Sequence, residues 1–525
     1  MQKSRFSPAG KPLHERTRNE TAFTHPQEDF SMPATLTYPG VYIEEVPSGV
    51  RTITGVATSI ALFIGWAARG PIDRALRITS FADYERQFGG LDGRTLLGYS
   101  VRQFYDNGGS DAYVLRIAAN DAVTAAATIG DLDIAASSPG EWAADYQVRL
   151  TRRLDDATRF RLDVLHTPSN GAVVESFENL SMTATDARFV NAMVNDRSAF
   201  IVVDATTATT PGNATVDLDA ATPGDDGTVL GPADADFRTA VLARFGLGTT
   251  TDRIDIFNIV CVPGLTDAAT IATLQHHCHD RRAFLIVDCA ENETVANATA
   301  ALAGMTGADA MNSAFYFPWV RSPDPLQQGA LRAFPPCGYV AGVFARTDSS
   351  RGVWKAPAGS EASVTGATGL QITMSDPENG QLNPHAVNCL RSLPVYGNVV
   401  WGSRTLHGDN DRGSEWKYVP VRRMALFLEE TLYRNTKWVV FEPNDEPLWA
   451  QIRLNIGAFM QNLFRQGAFQ GTSPREAYFV KCDKETTTQT DINLGIVNIV
   501  VGFAPLKPAE FVVIKLQQIA GDIPT

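Results

Sequence analysis

The feature that most constrains the fold is an alternation of strand-like and helix-like segments in the middle of the chain. Five consecutive segments follow the order strand, helix, strand, helix, strand: residues 254–262, 267–280, 283–288, 293–304 and 313–320. Strands separated by helical crossovers collect into one sheet, so the alternation predicts a central sheet covered by helices. We therefore predict a mixed α/β fold, and 525 residues leave room for about three domains.

Apolar runs before this region predict more buried strands. Residues 59–71 are apolar and end in a turn, and residues 112–117 form a second run of this kind. Between them, residues 78–90 and 96–107 have helical patterns that end at or before glycines, which predicts two helices. A short strand is also expected at residues 41–46, where Pro and Gly flank a β-branched and aromatic run.

The stretch between these two regions has a different character. Residues 127–150 and 159–174 predict strands of a small β-rich insertion. Residues 204–236 are rich in Ala, Thr, Asp, Gly and Pro and lack periodicity, which predicts a long surface loop.

The first 30 residues are charged and polar and lack the apolar core of a signal peptide. We expect a disordered extension or an upstream translation start here, because Met32 stands immediately before the first strand pattern.

The composition narrows the class of partner. The net charge of −13 argues against a nucleic-acid partner, because such proteins carry a basic face. No run approaches the roughly 18–20 consecutive apolar residues of a membrane-spanning helix, so we expect no membrane insertion. The six cysteines lie far apart: Cys261, Cys278, Cys289, Cys337, Cys389 and Cys482. Because no two of them are close enough in sequence to form a C-x-x-C pair, we predict reduced, mostly buried thiols rather than a disulfide framework. Reduced thiols are typical of proteins made in the cytoplasm, so we expect cytoplasmic synthesis.

No motif predicts a cofactor, a metal ion or a catalytic centre. His276, His277, Cys278 and His279 are the densest group of metal-ligating residue types, but no second ligand pair lies nearby, so we expect a packed helix end. The glycines of residues 245–252 lack the spacing and the lysine of a phosphate loop. A nucleophile turn that would complete a Ser/His/Asp triad is also missing.

The C-terminal quarter has the clearest secondary-structure signals in the chain. The run WVVFEPNDEPLW at residues 438–449 predicts a strand, a turn and then a helix, with Asn444 or Asp445 as its N-cap. An apolar face at helical spacing follows: Trp449, Ile452, Ile456, Phe459 and Leu463. Residues 473–476 form a capping box, residues 479–482 return as a strand, and the tail 501–519 contains two strand-like runs split by prolines.

These C-terminal segments resemble contractile tail sheath proteins. The resemblance rests on WKYVPVRRMALFLEETLYRNT (416–436), residues 438–449, SPREAYFVKCDKETTTQ (473–489) and the tail 501–519, with TYPGVYIEEVPSGVRTI (37–53) at the other end. Proteins of this family form the outer cylinder of contractile phage tails and related injection systems.

The resemblance implies a structural subunit rather than an enzyme. It implies a helical polymer of stacked hexameric rings around an inner tube, which contracts to drive the tube through a target envelope. The implied partners are further copies of the chain, the inner tube protein, and baseplate and terminal cap proteins. The implied location is cytoplasmic assembly into a phage tail or tail-like particle that is released or membrane-docked, and the choice between the two particle types stays open.

The resemblance also implies a division into domains. We expect a disordered extension at 1–33, an N-terminal strand arm and first part of the core at 34–119, and a β-rich insertion with a loop at 120–250. An α/β middle domain of subtilisin-like fold without proteolysis would follow at 251–379, and the C-terminal sheath core at 380–525.

Both chain ends are expected to donate strands to neighbouring subunits, as the resemblance implies. At the C-terminus the donated residues would be Phe511, Val512, Val513, Ile514, Lys515 and Leu516, and at the N-terminus Val41, Tyr42, Ile43 and Glu44. An edge strand leaves N–H and C=O groups unpaired, and pairing with another chain satisfies them. The alternative is that the C-terminal strand is the edge of its own sheet.

Arg422 and Arg423 lie beside an apolar stripe in residues 416–436, and we consider them for a basic surface that faces the tube. The alternative is a solvated helix face. For the whole chain, the alternative function is an α/β-fold, hydrolase-like enzyme built on the sheet of residues 254–320. A tube or baseplate protein is a third reading, but tube subunits are far shorter and lack these motifs.

Overall fold

The structure is a computed structural model and describes residues 51–516. Its strands β1 to β20 are, in chain order, Ala61–Trp66, Leu76–Ile78, Ala112–Ile117, Ala126–Ile129, Leu132–Ala136, Tyr146–Arg152, Phe160–His166, Ala172–Leu180, Ile201–Ala205, Ala214–Asp217, Ile259–Cys261, Phe284–Asp288, Ser313–Phe317, Val320–Asp324, Ala330–Phe334, Gly369–Leu370, Val387–Leu393, Gly397–Val400, Tyr478–Lys481 and Val500–Phe503. Its helices α1 to α11 are Phe81–Phe88, Leu97–Asp106, Val190–Val194, Ala235–Leu242, Ala268–Asp280, Cys337–Arg351, Asp376–Leu382, Val419–Asn435, Glu446–Arg465, Pro474–Ala477 and Gln489–Asn493.

A central sheet of eight strands organises the fold, in the order β18-β17-β13-β12-β11-β1-β3-β2. The strands from β17 to β3 run parallel, and β18 and β2 add antiparallel edges. Strands β1, β12 and β13 are buried along their whole length, as expected for parallel strands covered on both faces. Alternate residues of β1 enter two different hydrophobic clusters, Phe63 one and Leu62 the other. The predicted mixed α/β fold with several sheets is confirmed.

The central sheet does not follow the predicted domain boundaries at residues 119 and 380. Strands β1 to β3, which we expected in the first part of the core, pair beside β11, and β17 joins the other side of β13. The sequence patterns predicted the individual strands but not which strands pair, because a buried parallel strand pairs with strands that are distant in the sequence.

Helices α2 and α6 pack closely on one face of this sheet. Gly338 and Gly342 of α6 make the approach possible. A Cβ on Gly338 would lie 2.5 Å from the carbonyl oxygen of Ser100, and one on Gly342 would lie 2.6 Å from that of Phe104. Glycine at these two positions therefore lets the backbones of the two helices touch.

Two predicted elements are wrong. Residues 293–304 form turns and a short 3₁₀ segment, Ala300–Leu302, instead of a helix. The segment contains five alanines and only one Asn and two Thr, so its local propensity favours a helix, and contacts with the rest of the fold override that propensity. The strand expected at the start of residues 438–449 is a 3₁₀ turn, Lys437–Val439, followed by Phe441 with a φ of 73°.

The insertion has its own two sheets and its own core. The sheets have the strand orders β4-β5-β9 and β10-β6-β7-β8, so its β-rich character is confirmed. The predicted loop at 204–236 is interrupted by β10, which pairs with β6, and α4 begins at Ala235. Phe237 and Val241 of α4 pack in the second cluster of the central sheet, so α4 contributes to that sheet's core.

The C-terminal part packs α8 and α9 against the hairpin β19–β20. The predicted apolar face of α9 is buried in this core: Trp449, Ile452, Ile456, Phe459 and Leu463. Asp445 is the N-cap and accepts a hydrogen bond from the backbone N–H of Leu448. The start of the described chain crosses the same region, since the N–H of Arg51 donates to Asn455 Oδ1 at 3.0 Å.

Candidate functional site

The C-terminal end of the described chain is apolar and exposed. We call residues 511–516 the terminal arm. Its large apolar side chains are 75–94% exposed: Phe511, Val512, Val513, Ile514 and Leu516. Within residues 511–516 the arm forms no strand and pairs with no sheet of the described chain. The apolar side chains of the predicted strand at residues 511–516 are therefore exposed to solvent.

The chain before the arm is held in two places. The first is the hairpin: beyond β20, the N–H of Ala504 donates to the carbonyl of Ala477 at 2.8 Å. Gln470 N–H donates to the carbonyl of Ala504 at 2.9 Å, and Phe469 and Pro505 form an isolated bridge. These backbone contacts fix the chain as far as Pro505.

The second place is an ion pair between Arg404 and Glu510. Arg404 Nε donates to Glu510 Oε1 at 2.7 Å, and Nη2 donates to Oε2 at 2.6 Å. The hydroxyl of Tyr418 donates to the same Oε2 at 3.2 Å. The Arg404 side chain is 1% exposed and that of Glu510 16% exposed. Burial alone would raise the pKa of Glu510, but the hydrogen bonds and charge of Arg404 outweigh it and lower that pKa.

Arg404 is itself tied to the central sheet. Its backbone N–H donates to Asn388 Oδ1 at 2.7 Å, and Asn388 Nδ2 returns a hydrogen bond to the Arg404 carbonyl at 2.7 Å. Asn388 lies in β17, and its Nδ2 also donates to the carbonyl of Phe315 in β13 at 3.0 Å. Arg404 Nη1 donates to Asn410 Oδ1 at 2.9 Å. The guanidinium is therefore held before it meets Glu510.

A cavity of about 700 Å³ lies between the segment 506–511 and the body of the subunit. Trp354, Trp401 and Tyr418 contribute aromatic walls, and Lys355 contributes a charge. The cavity shows that this segment arches over the surface between its two attachments.

Arg422 and Arg423 do not form the predicted basic surface. Both are buried in α8, so the alternative of a solvated helix face is wrong as well. Arg422 Nε donates to Asn312 Oδ1 at 3.0 Å, and burial lowers its pKa. Arg423 makes a bidentate pair with Asp348, at 2.9 Å and 2.6 Å, and also donates to the Thr58 carbonyl at 2.9 Å. Both guanidinium groups bind residues of the same chain, so neither is available to contact a tube in this conformation.

The N-terminal strand residues predicted for donation, Val41, Tyr42, Ile43 and Glu44, lie outside the described residues. Their role stays a prediction.

Two segments match models of tail sheath domains. Residues 254–406 match the phage tail sheath protein central domain, and residues 411–519 match the phage tail sheath C-terminal domain. The chain belongs to the tail sheath family. The second match contains both Arg404's partner Glu510 and the terminal arm.

Relatives of this sheath-family chain carry the same description. A putative prophage major tail sheath protein of Pseudomonas aeruginosa is 28% identical over 184 residues, which are 34% of this chain and 45% of the relative. The tail sheath protein of Enterobacteria phage T4 is 25% identical over 164 residues, 31% of this chain and 23% of the relative. The matched segments thus span less than half the length of these curated relatives.

Solved structures share the fold over most of the sheath-family chain. The sheath of an extracellular contractile injection system, PVC, in the contracted state has a TM-score of 0.59 at 23% identity, covering 92% of this chain and 98% of that one. The contracted helical sheath of the anti-feeding prophage has a TM-score of 0.58 at 23% identity, covering 92% and 99%. The sheath tail protein of Listeria innocua reaches 0.58 at 13% identity, covering 86% and 96%.

The histidine cluster of this sheath-family chain is occupied by intrachain contacts. His276 Nδ1 lies 2.9 Å from Asp309 Oδ2, and the ring of His277 stacks on Phe245. Cys278 is buried, and burial raises the pKa of its thiol. Within residues 51–516 no group of His, Cys, Asp and Glu is arranged to hold a metal ion.

A buried carboxylate that sequence reasoning missed lies at the carboxyl end of the central sheet. Asp288 ends β12, and burial raises its pKa to about 6. Its two oxygens accept hydrogen bonds from the backbone N–H groups of Gly264, at 2.9 Å, and Cys337, at 2.8 Å. Ligands bind at this edge in many open α/β sheets, but here Asp288 holds the first N–H of α6. The geometry gives it a structural role and does not favour the hydrolase-like alternative.

Among the helices in the part of the chain that the structure covers, none combines the length and hydropathy needed to cross a bilayer.

Proposed function

We propose that this chain is a structural subunit of a contractile sheath, which polymerises helically around an inner tube and contracts to drive that tube through a target envelope. Membership of the family and a fold shared with sheaths of two contractile particles support this. The proposal assigns the chain no catalytic step.

The single observation that carries the proposal is the terminal arm. It exposes five large apolar side chains, yet its base is held in place by backbone and ion-pair contacts. An exposed apolar strand with free backbone groups needs another sheet edge to satisfy it. Non-closing contacts of this kind, repeated from subunit to subunit, generate helical polymers.

We propose that the arm adds as a strand to a sheet of a neighbouring copy, and that Val41–Glu44 are donated in the same way from the other end. The inner tube protein, baseplate proteins and a terminal cap are the further partners, and assembly takes place in the cytoplasm. The central α/β part serves as a subtilisin-like scaffold without proteolysis. The tube-facing residues are not Arg422 and Arg423, because these are buried in intrachain pairs.

Removal of residues 511–525 tests the proposal. Because the arm contributes almost no buried area to its own subunit, the truncated chain is expected to melt at the temperature of the full chain. Electron microscopy is expected to show cylinders for the full chain and none for the truncated one.

A substitution inside the arm provides a finer test. Val513→Pro removes one strand N–H and fixes φ, so it should mimic the truncation, whereas Val513→Ile keeps strand propensity and serves as the matched control. Normal cylinders from the truncated chain would refute strand donation by the arm.

A further inference from the structure

We propose that Arg404 and Glu510 form an anchoring pair that fixes where the terminal arm leaves the subunit, and so positions it for pairing with a neighbouring copy of the chain. This inference rests on the proposed strand donation. In this reading the two residues are positioning residues, since the strand contact itself is made by the arm.

The first argument is the abrupt change in exposure along the chain. The Glu510 side chain is 16% exposed, and that of Phe511, the next residue, is 75% exposed. The chain is therefore attached to the subunit at Glu510, whose carboxylate Arg404 binds, and is exposed from the next residue onward. A bidentate pair between a guanidinium and a carboxylate fixes direction as well as distance, because both planar groups must align.

The second argument is that little else holds this segment. The described chain between Pro505 and Glu510 contains no strand, and Pro505 and Pro508 have no N–H to donate. The segment also arches over the 700 Å³ cavity rather than packing closely on the body. Glu510 is thus the outer of two attachments, and the hairpin contact at Ala504 is the inner one.

The third argument is the rigidity of the other half of the pair. Arg404 is 1% exposed and is joined by a reciprocal pair of hydrogen bonds to Asn388, which bridges β17 and β13. A buried guanidinium is costly unless its charge and N–H groups are satisfied, and at Arg404 a carboxylate meets this need. The last residue before the arm supplies it.

The consequence concerns the free length of the arm. With the pair closed, the six residues of the arm, 511–516, extend at most about 20 Å from Glu510. With the pair open, the free segment starts after Pro505 and gains the five residues 506–510, or about 17 Å. A closed pair orders those five residues before a neighbour binds, and such preorganisation lowers the cost of association.

The first experiment uses unassembled protein. Glu510→Gln keeps the size of the side chain and removes its charge, so the segment 506–510 should become mobile. A fluorophore attached at Lys507→Cys reports this motion, because Lys507 is exposed and all six native cysteines are buried. Its anisotropy at pH 7 should fall to that of the same label attached at Val513→Cys in the arm. Glu415→Gln changes an exposed carboxylate and is the matched control, with no change expected in that segment.

A second variant breaks the same ion pair from the Arg404 side and leaves Glu510 unchanged. Arg404→Gln should expose the peptide bond after Glu510, so a glutamate-specific protease is expected to cut there at least ten times faster than in the unmodified chain. The thermal melting curve of each variant shows whether the fold is kept.

The assembly experiment then separates the anchor from strand donation. Glu510→Gln is expected to form cylinders only at about 10-fold higher protein concentration, whereas removal of 511–525 abolishes them. Unchanged anisotropy at position 507 in Glu510→Gln overturns the anchor, and lowered anisotropy with an unchanged assembly concentration overturns its positioning role. Neither result touches the proposed sheath function, which fails if the full chain forms no cylinders.

Discussion

The buried pair of Arg423 and Asp348 yields the sharpest prediction about stability. Both side chains are 3% exposed, and both guanidinium nitrogens reach the carboxylate, at 2.9 Å and 2.6 Å. Removing one partner of such a pair leaves a buried charge uncompensated, which costs about 3–5 kcal/mol. Arg423→Met should therefore lower the free energy of unfolding by about that much, and Asp348→Asn should have an effect in the same direction.

The magnitude follows from the isolation of the site. Besides Asp348, Arg423 reaches the carbonyl of Thr58 and lies over the ring of Phe344, so no second carboxylate among residues 51–516 can replace the lost one. A loss of about 3 kcal/mol corresponds to a change of roughly 100-fold in the unfolding equilibrium. The double variant Arg423→Met/Asp348→Leu removes both charges and should recover most of the loss, because apolar replacement of a complete buried pair is often nearly neutral.

Urea unfolding of the unassembled protein, followed by tryptophan fluorescence, measures these changes. Arg422→Met is the neighbouring control, with a smaller loss expected because its partner Glu429 is 44% exposed. If Arg423→Met unfolds at the same urea concentration as the unmodified chain but no longer co-sediments with tube, the assignment of Arg423 to the interior of the subunit is wrong.

Three further predictions follow from single contacts. Gly342→Ala should destabilise the subunit by about 1–3 kcal/mol, because its Cβ would press on α2, whereas Gly457→Ala in α9 has open space and should stabilise by about 0.5–1 kcal/mol; thermal melting compares the two. Asp445→Ala removes the N-cap of α9 and should cost about 1 kcal/mol by urea unfolding, while Asp445→Ser should restore most of it. The folded-state pKa of Glu510 is lowered, so its contribution is complete above its unfolded value and is lost as pH falls through the folded value. The anisotropy of a fluorophore attached at Lys507→Cys should therefore be high at pH 7 and lower in acid, and a pH-independent anisotropy would contradict the role of its charge.

Local signals in the sequence predicted local structure well. β3 spans Ala112–Ile117 as expected, and α5 begins after Asp267, whose side chain accepts from the N–H of Thr270. The apolar face of α9 is buried residue for residue as the helical spacing predicted. In each case the determining contacts lie within one turn or one face of the same element.

What the sequence could not predict depends on residues far apart in the chain. The order of the central sheet joins strands separated by long insertions, for example β1 and β11. Arginine is mostly a surface residue, so its burial at position 423 follows only from Asp348, which lies 75 positions away. The pair of Arg404 and Glu510 spans 106 positions and has no local pattern at all. The sequence predicted a strand at residues 511–516, where the subunit has an exposed segment without strand pairing, and only the structure shows where that segment ceases to be held.

The separate core of the insertion has a consequence for how the molecule can change over evolutionary time. Its apolar residues, from Ala125 to Leu218, pack among themselves and form a cluster apart from those of the central sheet. The insertion meets the central sheet through a few contacts, in which Arg69 donates to the hydroxyl of Tyr146 and Arg116 of β3 donates to the carbonyl of Pro139. A substitution away from these contacts acts within the insertion. The insertion can then drift or be exchanged as long as the junction is kept, while the part that carries the arm and its anchor keeps its geometry.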